Sequence, residues 1–295
     1  MKLQYKSIEE LVCAAESCKK NISEIVLEEQ AQTAEQTQEQ LFADMKKRFH
    51  VMKQSVKEGM APDLRSSSGL SGGSAAKMQA AVEQKKNHFG PLFGSAMAMA
   101  LAVAESNSCM GRIVAAPTAG SCGVLPAALI SVMEDQNIPE DAVVMSMFTA
   151  SAIGMVIAKN ASIAGAEGGC QAEVGTASAM AAGALTELLG GTPQMVCHSC
   201  AIALKNILGL VCDPVAGLVE VPCVKRNAMG VANAFTACEL ACAGITSVIP
   251  AEEVIQAMNQ IGREMSSSLK ETAEGGLAAT PTGCRLCREI FGTSA

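Results

Sequence analysis

From Leu92 onward the chain is a succession of apolar stretches rich in Ala, Met and Leu, each broken by Gly, Pro or a short polar cluster. The stretches run over 92–105, 124–134, 143–159, 172–189, 197–209, 228–243 and 252–270. Most are of helical length, and they lack the strict polar–apolar alternation of half-buried strands. With no Trp, one Tyr and seven Phe, the apolar surface comes mainly from small and flexible side chains. Such surfaces suit helices packed closely through small residues. Arg112 to Ala116 reads as one short strand. There is no fixed-period repeat and no strand–helix alternation, which argues against a doubly wound sheet. The expected fold is all-α, a compact core of mostly buried helices.

Charge divides the chain. Residues 1–60 carry 19 of the 51 charged side chains, which places a boundary near Gly59-Met60-Ala61-Pro62. The expectation is a charged helical segment over 1–60 ahead of a second unit over 61–295. Ser7 and Glu10 form a capping pattern before an apolar series at Ile8, Leu11, Val12 and Ile25. The net charge of −7 and the absence of a basic block argue against a nucleic-acid partner. The charged start from Lys2 does not read as a signal peptide, so a cytoplasmic location is expected. Ile113 to Met133 is long enough to span a membrane, but Pro117, Gly120, Gly123 and Pro126 interrupt it, and it reads as protein core. Thirteen cysteines without a secretion signal imply reduced thiols, serving as small hydrophobes or metal ligands.

Two Cys-x-x-Cys pairs, Cys197/Cys200 and Cys284/Cys287, lie too far apart for a zinc ribbon and lack a βαβ setting for redox chemistry. The first pair reads as helix core. Three other cysteines sit in Gly/Pro/acid-rich turns. Cys170 lies in Ala-Glu-Gly-Gly-Cys-Gln-Ala-Glu-Val-Gly, and Cys212 and Cys223 bracket Asp-Pro-Val-Ala-Gly-Leu-Val-Glu-Val-Pro. Such loops point backbone amides at cluster sulfides. On composition alone, structural thiols and cluster ligands fit equally.

These segments resemble the cluster-binding motifs of the iron–sulfur L-serine dehydratases. Further matches are Ser-Ser-Ser-Gly-Leu-Ser-Gly-Gly at 66–73, Gly-Arg-Ile-Val-Ala-Ala-Pro-Thr-Ala-Gly-Ser-Cys-Gly at 111–123 and Gly-Gly-Leu-Ala at 275–278. The likeness runs from about residue 60 to 280. It implies the alpha chain of a two-chain enzyme, with Cys170, Cys212 and Cys223 holding a [4Fe–4S] cluster and one iron left open. It also implies deamination of L-serine to pyruvate and ammonia without pyridoxal phosphate, and a separate regulatory beta chain. An oligomer is expected, and no membrane partner.

The loop Ser66, Ser67, Ser68, Gly69 offers hydroxyls and approachable amides for the substrate's carboxylate, although Ser-rich loops also serve as ordinary linkers. Candidates for the proton-accepting base are Lys77, His88, His198 and nearby carboxylates such as Glu167. Single-chain members of the family end in a cysteine that caps the open iron. Here the chain continues to Ala295, and Cys284, or Cys287 after it, stands at about the corresponding distance. Rival readings are a cluster-dependent cysteine lyase, a pyridoxal-phosphate lyase and a cluster-bearing electron carrier. The fold signals oppose the second, and the wide cysteine spacing opposes the third.

Overall fold

Capping chemistry marks the start of each of the first three helices. Ser7 precedes α1 (Ile8–Cys18), and its hydroxyl accepts from Glu10 N at 3.0 Å. Glu24 accepts from Asn21 N at 2.8 Å at the head of α2 (Ile22–Ala34). Thr37 and Gln40 accept from one another's backbone amides, at 3.2 and 3.0 Å, at the head of α3 (Gln38–Gly59). Such exchanges satisfy amides that a first helical turn leaves free.

The computed structural model describes residues 4–292. After α3 come α4 (Ser74–Glu83), α5 (Pro91–Ser108), α6 (Val124–Gln136), α7 (Glu140–Asn160), the single turn α8 (Gly165–Gly168), α9 (Thr176–Leu188) and α10 (Pro193–Lys205). The chain ends in α11 (Cys223–Cys242), α12 (Ala251–Glu264) and α13 (Pro281–Phe291). Pro91, Pro193 and Pro281 each open a helix, where a missing N–H leaves nothing unpaired. A π turn, Gln171–Gly175, feeds directly into α9.

Among the described residues, β-type pairing is confined to one isolated bridge between Cys212 and Lys270. The fold is therefore all-α. The expected strand at Arg112 to Ala116 is instead irregular. It links α5 to α6 with no neighbouring strand to supply a ladder, and apolar β-branched residues alone do not make one. The stretch expected to be helical to residue 270 ends at Glu264, where Met265 turns extended and the serines that follow favour a short 3₁₀ turn.

α9 lies at the centre, packed against α6, α7, α10 and α11. The N-terminal helices share this core: Ile8, Leu11 and Phe49 are fully buried in the same apolar cluster as Leu129 and Ile153. α7 is long and apolar enough to cross a membrane, yet 67% of its most apolar stretch is buried among the other helices. Small residues let backbones touch. At Gly59, a Cβ would stand 1.9 Å from the Ala102 carbonyl oxygen, so α3 and α5 meet without a side chain between them. On the solvent side, Lys53 and His50 of α3 each bind Glu140 at the head of α7, at 2.9 Å.

Two outcomes follow. Gly59→Ala gains up to about 1 kcal/mol of helix propensity, but the overlap with Ala102 forces α3 and α5 apart. A net loss of about 1–3 kcal/mol is expected in urea unfolding. Hydrogen bonds from Lys53, then His50, hold the Glu140 carboxyl down at about 2. A carboxyl whose folded value is depressed stabilises the fold above its unfolded value and loses that contribution as pH falls toward the folded one. Glu140→Gln is therefore expected to cost up to about 1 kcal/mol at neutral pH, because the pair is partly solvated. Between an unfolded value of about 4.3 and a folded value of about 2, the gap to the parent should close.

Candidate active site

Three thiols converge where the π turn, the 209–213 loop and the head of α11 meet. Cys170 immediately precedes the π turn, a local helical irregularity often found at functional sites. Cys212 is fixed by its bridge, donating to Leu269 O at 2.9 Å and accepting from Glu271 N at 2.7 Å. Cys223 opens α11, so it is helical and not part of the preceding turn. The three are 3, 3 and 9% exposed, and none forms a disulfide. Cys170 and Cys212 pack together around Val174. Burial pushes the Cys170 thiol up to about 11 and Cys223 up to about 12, and it raises Cys212 well above the usual range. Ionisation of Cys170 would raise both of the others further.

Arg226 is the basic side chain beside this cluster of thiols. The Arg226 guanidinium faces the Cys170 thiol, donates to Val211 O at 2.8 Å and pairs with Asp213 at 2.8 Å. The pair is buried, with side chains 14 and 5% exposed. The second Asp213 oxygen accepts from Leu277 N at 2.8 Å, which draws in the Gly-Gly-Leu-Ala motif. Gly276 makes this approach possible. Its φ is +58°, and a Cβ there would lie 2.5 Å from that same oxygen.

The 111–123 motif arrives from the other side. Asn227, one helical turn after Cys223, accepts from Gly123 N and donates to Gly120 O and Cys223 O, at 2.8, 2.8 and 2.9 Å. Thr118 donates to Glu173 at 2.8 Å. Burial raises the proton affinity of the Glu173 carboxyl, and the Thr118 bond partly offsets this. A Cβ on Gly165 would meet both Glu173 and the Cys212 sulfur, so this carboxylate lies among the thiols.

The serine loop is bound by two protein carboxylates. Ser66 and Ser68 donate to the two oxygens of Glu220 at 2.6 and 2.7 Å, and Ser71 donates to it as well. Glu105, fully buried, accepts from Gly72, Ser74 and Ala75 amides at 3.3, 3.0 and 3.2 Å and so caps α4 with a negative charge. Glu220 belongs to the segment between Cys212 and Cys223, so the serine loop and the cysteine loop are joined.

The remaining sequence candidates take no part in these side-chain bonds. Lys77 on α4, His88 after it, Ser67 and Gly69 are exposed. His198 Nδ1 accepts from Ser247 N at 3.4 Å, in a contact of α10 with the loop ahead of α12. Glu167 lines a polar surface cleft of about 360 Å³ with Lys159 and Arg263. Cys284 Sγ donates to Ala278 O at 3.8 Å, on a helix that packs against the Val215–Gly217 turn. Cys287 on the same helix is half-buried. Cys200 is fully buried on α10, as befits a helix-core thiol. Sequence reasoning missed Glu173, Glu220, Asp213 and Arg226. Glu173 and Arg226 left a signal, since each stands three residues after a cysteine, Cys170 or Cys223, and so falls on the same helical face.

Residues 17–278 match the serine dehydratase alpha chain family. The chain belongs to that family. It is 49% identical over 288 residues to the probable L-serine dehydratase alpha chain of Bacillus subtilis, covering 98% of this chain and 96% of that one. It is 43% identical over 270 residues to the L-serine dehydratase alpha chain of Peptoniphilus asaccharolyticus, 92% of each. An L-serine dehydratase of Streptomyces coelicolor is 48% identical over 187 residues, 63% of this chain and 41% of that longer one.

Among the described residues, no three His, Cys, Asp or Glu side chains stand close enough to hold a single metal ion. A four-iron cluster separates its thiolates across a larger body, and the donor set suits it: three buried thiols with one guanidinium to offset their charge once deprotonated. Removing Asp213 tests the frame that holds them. Asp213→Ala leaves Arg226 buried without its partner and is expected to cost about 3–5 kcal/mol in denaturant unfolding, against a smaller loss for Asp213→Asn.

Proposed function

We propose that this chain is the alpha subunit of a cytoplasmic L-serine dehydratase that converts L-serine to pyruvate and ammonia, with a [4Fe–4S] cluster held by Cys170, Cys212 and Cys223 and no pyridoxal phosphate. The observation that carries this reading is the convergence of three buried thiols beside Arg226, in a chain of the serine dehydratase family. The names of the relatives supply the substrate.

When bound, such a cluster supplies a Lewis-acidic iron free of protein thiolate, which polarises a hydroxyl and steadies it as it leaves. The chain's own residues do the rest. Hydroxyls of Ser66 and Ser68, with the exposed Ser67 and Gly69 beside them, take the substrate's carboxylate. Arg226 offsets negative charge around Cys170. Burial of the three cysteines keeps bulk water from the reacting centre. A base removes the α-proton as the β-hydroxyl departs, so that one water is lost and aminoacrylate forms. Hydrolysis of aminoacrylate takes a water back and yields pyruvate and ammonia. Lys77, His88 and His198 are the candidate bases. Lys77 lies one turn into the helix that follows the serine loop and is the first to replace. Cys284 is the candidate cap for the open iron, since its helix packs on the turn between Cys212 and Cys223.

The relatives named alpha chain point to a beta chain as partner, and the longer Streptomyces protein is consistent with a further region fused to this one. The assembly is then an oligomer.

The test is anaerobic reconstitution with iron and sulfide, in the presence of the beta chain, followed by pyruvate release from L-serine. Activity is expected to appear on reconstitution and to fade in air. Cys170→Ala, Cys212→Ala and Cys223→Ala should each bring it to background and lower the iron bound per chain. Air-stable turnover that needs no iron would contradict the proposal.

A further inference from the structure

Glu220 occupies the serine loop as a bound carboxylate ligand would. Its two oxygens take the protons of Ser66 and Ser68 at 2.6 and 2.7 Å, with Ser71 as a third donor. The hydroxyls are preset for this. Ser66 Oγ accepts from Ser71 N at 3.3 Å and Ser68 Oγ from Leu70 N at 3.1 Å, which turns their protons outward to an acceptor. Ser66 and Glu220 are 6 and 7% exposed, and among the described residues the recorded partners of this carboxylate are hydroxyls and no cation. The loop is thus a built carboxylate receptor, and the carboxylate in it is the protein's own.

The neighbouring Glu105 differs. It is held by backbone amides at the start of α4 and is 0% exposed, so it is a fixed part of the fold. Glu220 caps no helix with its carboxylate; besides the three hydroxyls, it is held through its backbone, whose N donates to Leu218 O at 2.7 Å and whose carbonyl accepts from Val224 N at 3.0 Å.

We propose that Glu220 is an internal stand-in for the substrate's carboxylate, which the substrate displaces. It is a residue that sets affinity and specificity, because the loop accepts only a ligand whose carboxylate outcompetes it. The inference rests on the reading of the serine loop as the substrate-carboxylate site. An internal competitor lowers apparent affinity by the fraction of time the receptor is free. If Glu220 fills the loop nine-tenths of the time or more, its removal tightens binding by at least about tenfold.

The experiment is calorimetric binding of L-alanine, which carries the carboxylate and ammonium but no hydroxyl to lose, with L-alaninamide as the carboxylate-free control. The protein is the reconstituted enzyme with its beta chain. Glu220→Ala should bind L-alanine at least about tenfold more tightly than the parent, with Glu220→Gln in between. L-Alaninamide should not distinguish the three proteins. Weaker L-alanine binding by both variants, with cooperative unfolding retained, would make Glu220 a brace and overturn the proposal. If Ser66→Ala and Ser68→Ala added to Glu220→Ala leave L-alanine binding unchanged, the loop holds no substrate carboxylate and the underlying reading fails instead. Pyruvate release by the parent enzyme is judged separately from either result.

Discussion

The Arg226–Asp213 pair is the interaction on which the rest of the site depends. One guanidinium faces the Cys170 thiol and bonds the Val211 carbonyl and the Asp213 carboxylate, and Asp213 in turn holds the Leu277 amide. Four segments far apart in the chain are fixed to one point. A buried pair of this kind contributes little net stability, because desolvating two charges costs about as much as their attraction returns. Its value lies in position. An arginine with a rigid fork of donors sets distances among loops that have almost no regular structure of their own.

The helical body makes such loops affordable. α9 sits amid four other helices, and glycine and alanine at the contacts bring backbones together, as Gly59 does against Ala102. The loops between helices then start from fixed ends. Asn227 ties the 111–123 motif to α11 and Glu105 ties the serine loop to α5. Glu220 links that loop to the cysteine segment. The 66–73, 111–123 and 275–278 motifs and the cysteine segments are each bonded to another of the set, which brings these separate stretches together.

Much of this was legible in the sequence, and the limits have physical causes. The helices were readable because composition and length report on them locally, and the capping residue Ser7 does what its chemistry suggests. The three cysteines stood out because turn residues surround them, although Cys223 proved to be the first residue of a helix. The segment Arg112 to Ala116 misled because a strand depends on a partner that no local pattern reveals. The same blindness hid Glu220. Its bond to Ser66 joins residues 154 apart, and nothing in either stretch announces the other. The serine loop was read as suited to the substrate's carboxylate, and the carboxylate found there is the chain's own. Glu173 and Arg226 were the avoidable omissions, since helical spacing from Cys170 and Cys223 places each on the same face as its cysteine.

The central claim is that Cys170, Cys212 and Cys223 form one cluster-binding site. It is tested most directly by alkylating the thiols anaerobically in mild urea, which admits the reagent to buried thiols, before and after reconstitution with iron and sulfide, and locating the modified residues by mass spectrometry. The account expects these three to become protected together on reconstitution, while exposed thiols such as Cys13 and Cys18 react equally in both states. Protection of a different set, with these three unchanged, would contradict it.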